Sequence, residues 1–379
     1  MKLVSIEPTP SPNSMKLNLD EELPVGETRN FNKGDELSKA PDYIQKLFSI
    51  NGVKNIYHVA DFIALERNPK VAWEVILPEA RSVFGEENNG NAVTEQNKPL
   101  EHFGDVKVYI QMYRNIPMQV KLDDGHEEKR FGLPAMFQNA VMKATEYSPN
   151  FVMERKWVEQ SIRYGSMDEI GQDVVEELIA SYDQERLNQL VEKALQPTNE
   201  STTEQAVKPK KVTLEVLDNP DWKVRYAALD RMDDPTLEEL PLLAKALDDE
   251  KMSIRRLATA YLGMIEEKEV LPYLYKALKD KVVTVRRTAG DCLSDLGFKE
   301  AMPEMIASLK DPSKIVRWRA AMFLYEIGDE SALPALKEAA DDPEFEVKMQ
   351  IKMAIERIEG GEEGKGSVWY QMTQATKKE

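Results

Sequence analysis

The side chains best able to do chemistry in this chain are few and scattered. There is one cysteine, Cys292, and there are three histidines, His58, His102 and His126. One thiol cannot form an intramolecular disulfide, a cysteine-rich zinc site or a self-sufficient cysteine-ligated iron–sulfur cluster. Cys292 falls seven residues after Val285, on the fringe of an apolar helical stripe, where a small buried side chain is expected rather than a reactive thiol. His126 lies beside Glu127 and Glu128 in a turn, and three adjacent loop residues read as a solvated charge run, not as convergent metal ligands. Gly360 to Ser367 is glycine-rich, yet it departs from the phosphate-binding loop at both ends: Glu359 stands where the first glycine belongs and Gly366 follows the lysine. No Gly-x-Ser-x-Gly or His-Glu-x-x-His occurs. The expectation is therefore no catalytic set, no cofactor and no metal.

Composition bounds the partners. Across 379 residues, 67 Asp and Glu outnumber 50 Lys and Arg, for a net charge of -17. A nucleic-acid binder needs a basic face to release counterions, so nucleic acid is not the expected partner. Glu7 and three prolines interrupt the first residues, and no stretch approaches the ~20 apolar residues that span a bilayer. A protein with neither signal peptide nor membrane span, placed in the reducing cytoplasm, is expected.

Two polar stretches divide the chain. Residues 87–99 and 197–209, rich in Asn, Glu, Thr and Pro, read as linkers between units at 1–86, 100–196 and 210–358, with a tail at 359–379. The expected fold class is two small α/β (α+β) domains followed by an all-α solenoid.

The third unit repeats. Pro241, Pro272, Pro303 and Pro334 recur every 31 residues, as do Asp249, Asp280, Asp311 and Asp342, and Ile254, Val285, Val316 and Val347. Fixed self-similarity at this period is the signature of a solenoid. Each unit reads as a helix A opened by the proline, a turn carrying the Asp, and a helix B carrying the β-branched anchor and an apolar stripe such as Val316, Ala320, Leu324 and Ile327. A basic residue follows every anchor: Arg225, Arg255, Arg286, Arg317 and Lys348. Such a column could bind anions, but an Asp at fixed phase predicts hydrogen-bonded rungs between stacked units instead.

The face of helix B opposite the core stripe carries Arg256, Arg287, Trp318, Met322, Tyr325, Met349 and Met353. Arg, Met and aromatic residues are enriched where proteins dock, so this strip is the expected partner-binding surface. Alternatively the tail, with its apolar Val368-Trp369-Tyr370, folds back and covers it.

Val285-Arg-Arg-Thr-Ala289 and Val316-Arg-Trp-Arg-Ala320 resemble HEAT repeats of the short kind also seen in phycobilisome lyases. In the first unit, Thr9-Pro-Ser-Pro-Asn-Ser-Met-Lys-Leu17, then Leu47 to Ile56, Asp61-Phe-Ile63 and Trp73, resemble the N-terminal domain of Nfu/NifU iron–sulfur scaffolds. The cluster-binding Cys-x-x-Cys of that family has no counterpart here, so the resemblance implies docking near iron–sulfur proteins without holding a cluster. The middle unit reads as strands at Val106 to Tyr113 and Ile116 to Leu122, with helices at Pro134 to Tyr147, Phe151 to Tyr164 and Asp168 to Leu195. Its Gln111-Met-Tyr-Arg-Asn-Ile-Pro-Met-Gln-Val120 and Arg130-Phe-Gly-Leu-Pro134 resemble the conserved virulence factor C family of Gram-positive bacteria. That resemblance implies an effect on virulence-related expression. Together these readings predict a non-enzymatic adaptor that binds proteins through the HEAT groove. The alternatives are an accessory factor in iron–sulfur biogenesis and a lyase-like enzyme using the same groove.

Overall fold

In the computed structural model, residues 1–85, 105–195 and 212–364 are described, except Pro10, Pro12, Val25, Gly26, Lys39, His126, residues 147–149 and Glu362. Both expected linkers, His102 and Trp369 lie outside the described residues.

The first domain pairs five strands with two helices. Strands β1 (Leu3–Pro8), β2 (Ser14–Leu19), β3 (Thr28–Asn32), β4 (Val53–Val59) and β5 (Phe62–Arg67) form one antiparallel sheet in the order β1-β2-β5-β4-β3. Alternation buries Met15, Leu17 and Leu19 from β2, and Ile63 and Leu65 from β5. Helices α1 (Asp42–Ser49) and α2 (Trp73–Val83) complete the core through Ile44, Leu47, Trp73 and Ile76. The sequence reading places strands in this unit at Met15 to Leu19, Val53 to Val59 and Phe62 to Glu66, and lacks β1 and β3. The latter exposes or half-exposes every residue, so it has no buried face to read.

The middle domain is a four-stranded antiparallel sheet, ordered β8-β7-β6-β9, with helices on one face. Its strands are β6 (Asp105–Tyr113), β7 (Ile116–Asp123), β8 (Glu128–Gly132) and β9 (Arg155–Tyr164). Its helices are α3 (Ala135–Thr145), the single turn α4 (Phe151–Glu154), α5 (Met167–Ser181) and α6 (Gln184–Leu195). Two helix expectations are corrected. Residues 155–164 form a strand, largely exposed on both faces and so without the alternation that would have revealed it. The long helix from Asp168 is two helices, because Asp183 accepts the Arg186 N–H at 2.8 Å and so starts α6 afresh.

The solenoid alternates short A helices with longer B helices. The A helices are α8 (Leu240–Ala246), α10 (Leu271–Ala277), α12 (Met302–Ser308) and α14 (Leu333–Glu338), each with proline in its first turn. The B helices are α7 (Trp222–Asp230), α9 (Met252–Met264), α11 (Val283–Leu296), α13 (Lys314–Ile327) and α15 (Phe345–Glu359). The anchors Ile254, Val285, Val316 and Val347 are all buried. Gly297 ends α11 at φ 65°, a left-handed cap that favours glycine, whereas Gly328 ends α13 in extended backbone.

Four rungs join the units. Arg225 grips Asp249 at 2.7 and 2.9 Å, Arg255 grips Asp280 at 2.6 and 3.1 Å, Arg286 grips Asp311 at 2.8 and 3.0 Å, and Arg317 grips Asp342 at 2.7 and 3.1 Å. Each Arg reaches forward to the Asp of the next unit and also donates to a carbonyl in its own turn, as Arg255 does to Asp249 O at 2.9 Å. Each Asp in turn accepts a backbone N–H that opens the following B helix, as Asp280 does from Val282 at 2.7 Å. A rung therefore fixes unit spacing and caps a helix at once. Asp280→Ala strips the buried Arg255 of its carboxylate and should cost about 2–3 kcal/mol in urea unfolding of the full chain. A loss under about 0.5 kcal/mol would show the rung to be ornamental.

Candidate interaction surface

The outward strip of the B helices is not open to solvent. Trp318 is 2% exposed, Met322 3%, Arg287 3% and Arg256 8%, while Tyr325, Met349 and Met353 are half-buried. The expectation of a free docking strip is corrected. Among the described residues, the middle domain meets the strip at Arg256 and Arg287, the first domain meets it at Met349, and Trp318 and Met322 are buried in the repeat core.

The middle domain covers the centre. The Arg287 guanidinium lies over the Tyr164 ring at 4.7 Å and over the Trp318 ring at 5.6 Å. The Tyr164 hydroxyl donates to Asp291 at 3.3 Å, and Thr284 donates to the Tyr164 carbonyl at 3.0 Å. Farther along, Arg231 donates to the Ser181 carbonyl at 2.7 Å and Lys251 meets Glu176 at 2.7 Å. Between them Glu177 is buried, gripped by Arg163 at 3.2 and 2.7 Å, with Arg256 at 3.7 Å. Burial alone would raise the Glu177 carboxyl, but the two guanidinium groups hold it below its ordinary value.

The first domain covers the far end. Phe345 and Met349 of α15 pack against its core. Arg67, at the end of β5, donates to Glu346 at 2.8 Å, to Asn13 Oδ1 at 3.3 Å and to the Val71 carbonyl at 3.3 Å. Its guanidinium also stands 5.2 Å from the Trp73 ring. Asn13 belongs to the Thr-Pro-x-Pro-Asn-Ser run, so that motif accepts from the same guanidinium that meets the last repeat. Sequence reasoning missed Arg67, Glu177 and Glu346. Arg67 and Glu346 lie far apart in sequence, as do Glu177 and Arg256, and no period links them.

Between the middle domain and the first B helices a cavity of about 780 Å³ remains. Its floor is the β6–β9 part of the sheet, through Val108, Ile110 and Val158. One wall is α5, and the other is α7 and α9, which present Tyr226, Arg256 and Leu257.

The remaining candidates for chemistry are structural. His58 is buried in the first domain, with Nδ1 2.6 Å from the Tyr43 hydroxyl, which accepts from Arg29 at 2.9 Å. Burial, reinforced by Arg29, pushes the imidazole down and keeps it neutral. The Cys292 thiol is buried, donates to the Thr259 carbonyl at 3.5 Å, and is pushed far up by burial. Opposite it α9 carries Gly263, where a Cβ would come within 2.4 Å of the sulfur. In the native protein Cys292 should resist iodoacetamide for hours, and in urea it should alkylate fully; rapid native alkylation counted by mass spectrometry would contradict this burial. Among the described residues no group of three His, Cys, Asp or Glu converges as metal ligands. Nor, among them, is any helix long and apolar enough to cross a membrane.

A sheet domain of the Nfu type, a second sheet domain and a stack of helix pairs define the class: a HEAT-repeat protein with two appended sheet domains. Three families match in that order, the scaffold protein Nfu/NifU N terminal at residues 4–90, Virulence factor at 111–191, and HEAT repeats at 211–289 and 283–356. The chain belongs to the conserved virulence factor C family. It is 47% identical over 378 residues to the conserved virulence factor C of Staphylococcus haemolyticus, covering 100% of both chains. It is 61% identical, also over the whole of both chains, to the uncharacterized protein YpgR of Bacillus subtilis (strain 168). The crystal structure of protein SAV1430 from Staphylococcus aureus matches 22% of this chain and 99% of its own length at 36% identity, with a TM-score of 0.21.

Proposed function

We propose that the chain is a non-enzymatic cytoplasmic adaptor that works as one block rather than as three beads on a string. The observation that carries this is the filling of the HEAT groove by the chain's own sheet domains through specific buried pairs, Arg67–Glu346 and Arg163–Glu177–Arg256. HEAT arrays are protein-interaction modules, and their repeats add surface in proportion to length. Here that surface positions the Nfu-like and middle domains, and partners meet the composite face that results. The family's link with virulence then reflects which proteins are brought together, not a reaction carried out.

The test is in vivo photo-cross-linking. A benzophenone amino acid is placed in turn at Lys156, on the cavity rim, and at Lys276, on an A helix. Discrete adducts with another protein at one or both positions are expected. Their absence at both, together with turnover of a substrate by the purified chain, would overturn the adaptor reading in favour of a groove enzyme. Reconstitution with iron and sulfide addresses the other alternative: the desalted protein should be colourless.

A further inference from the structure

Arg256 is a charged side chain of the groove strip that the chain's own domains cover without a hydrogen-bond partner for its Nε among the described residues. The residue is 8% exposed and lines the cavity beside β9. Its Nε is sealed from solvent and has no hydrogen-bond partner among the described residues. Glu177 Oε1 stands 3.7 Å from the Arg256 Nη2 and already holds Arg163 in a two-point grip. Burial, with Arg163 alongside, pulls the Arg256 guanidinium below its usual value. A buried guanidinium offers five N–H donors and is costly to leave unmatched.

The other charges around the cavity do not supply the missing acceptor. Arg114 is matched by Glu154 at 2.5 and 3.1 Å. Asp230 lies 3.9 Å from Arg186, and burial raises its carboxyl above the ordinary value. Lys156 stands exposed on the rim with no ion pair among the described residues. In a chain of net charge -17, this cavity is lined by four cations, Arg114, Lys156, Arg163 and Arg256, against three carboxylates, Glu154, Glu177 and Asp230. Its floor is apolar, and Val158 is 43% exposed there. Strand β9, which carries Lys156 and Val158, is also the edge of its sheet, so its outer backbone groups have no strand partner among the described residues. A free edge beside side-chain pockets is how extended peptides are captured by strand addition.

We propose that this cavity takes an extended acidic peptide segment of a protein partner. A Glu or Asp carboxylate of the peptide meets Arg256, apolar neighbours rest on Val158 and Ile110, and the peptide backbone runs along β9. The inference rests on the adaptor reading and names the chemistry of its partner.

The experiment uses the full chain, immobilised, with a displayed library of random dodecapeptides as the probe. Enriched sequences should share an acidic residue flanked by apolar ones. Synthetic copies should bind at least tenfold more weakly when that residue is Gln, when the protein carries Arg256→Gln, or when it carries Val158→Glu. The second variant changes an exposed strand residue, so it reports on the cavity even where Arg256→Gln lowers stability. The proposal is overturned if nothing is enriched, if the enriched peptides lack an acidic residue, or if neither variant weakens them. It is equally overturned if octanoate, but no peptide, binds in an Arg256-dependent way. Any of these results alongside photo-cross-linked protein adducts leaves the adaptor reading standing and removes only the acidic peptide.

Discussion

Trp318→Ala should destabilise the full chain by about 3–5 kcal/mol, the cost of truncating a large buried aromatic side chain and leaving a cavity. Trp318 is 2% exposed and lies beneath the Arg287 guanidinium. That guanidinium is in turn held against Tyr164 of the middle domain. The indole therefore supports both the repeat core and the seat of the neighbouring domain. Urea denaturation read by far-ultraviolet circular dichroism gives the number directly. A change below about 1 kcal/mol would return Trp318 to the solvent-exposed strip that the helix wheel alone predicts.

The second large effect lies at the other end of the groove. Glu346→Ala should cost about 3–5 kcal/mol, because it leaves Arg67 as a buried charge without its carboxylate. Arg67 is 2% exposed, and its other acceptors are neutral oxygens, from Asn13 and the Val71 backbone. Release of the first domain from α15 would let the guanidinium regain water, so the loss is also expected to appear as faster hydrogen exchange in β5 and α15 together. Exchange that rises in α15 alone would mean that the pair does not hold the two elements to each other.

What the sequence made legible is what repeats locally. The rungs could be read because Asp280, Asp311 and Asp342 keep one phase with Arg255, Arg286 and Arg317, and solenoid contacts run only between neighbouring units. The buried anchors followed from helical periodicity for the same reason. The side of the B helices that carries Trp318 and Met322 was also legible, and so was the fact that apolar residues there need a cover. The cover itself was not. Arg67 and Glu346 are 279 residues apart, and Tyr164 and Asp291 are 127 apart. A single Arg or Tyr at the end of a strand carries no mark of so distant a partner. Strand β9 was misread as helix for a related reason. Both its faces are largely exposed, so it lacks the alternation of apolar and polar residues by which a half-buried strand is recognised. That two-sided exposure is the same property that leaves Val158 and Lys156 beside the cavity.

The account turns on the chain's first domain being seated on its last repeat, and a double-mutant cycle on Arg67 and Glu346 tests that contact most directly. Arg67→Ala, Glu346→Ala and the double variant are compared by urea unfolding of the full chain. If the domains are joined as described, the double variant loses less than the sum of the singles, with a coupling of about 1–3 kcal/mol. Strict additivity, within about 0.5 kcal/mol, would mean that the two side chains never meet and that the groove is not closed by the chain itself.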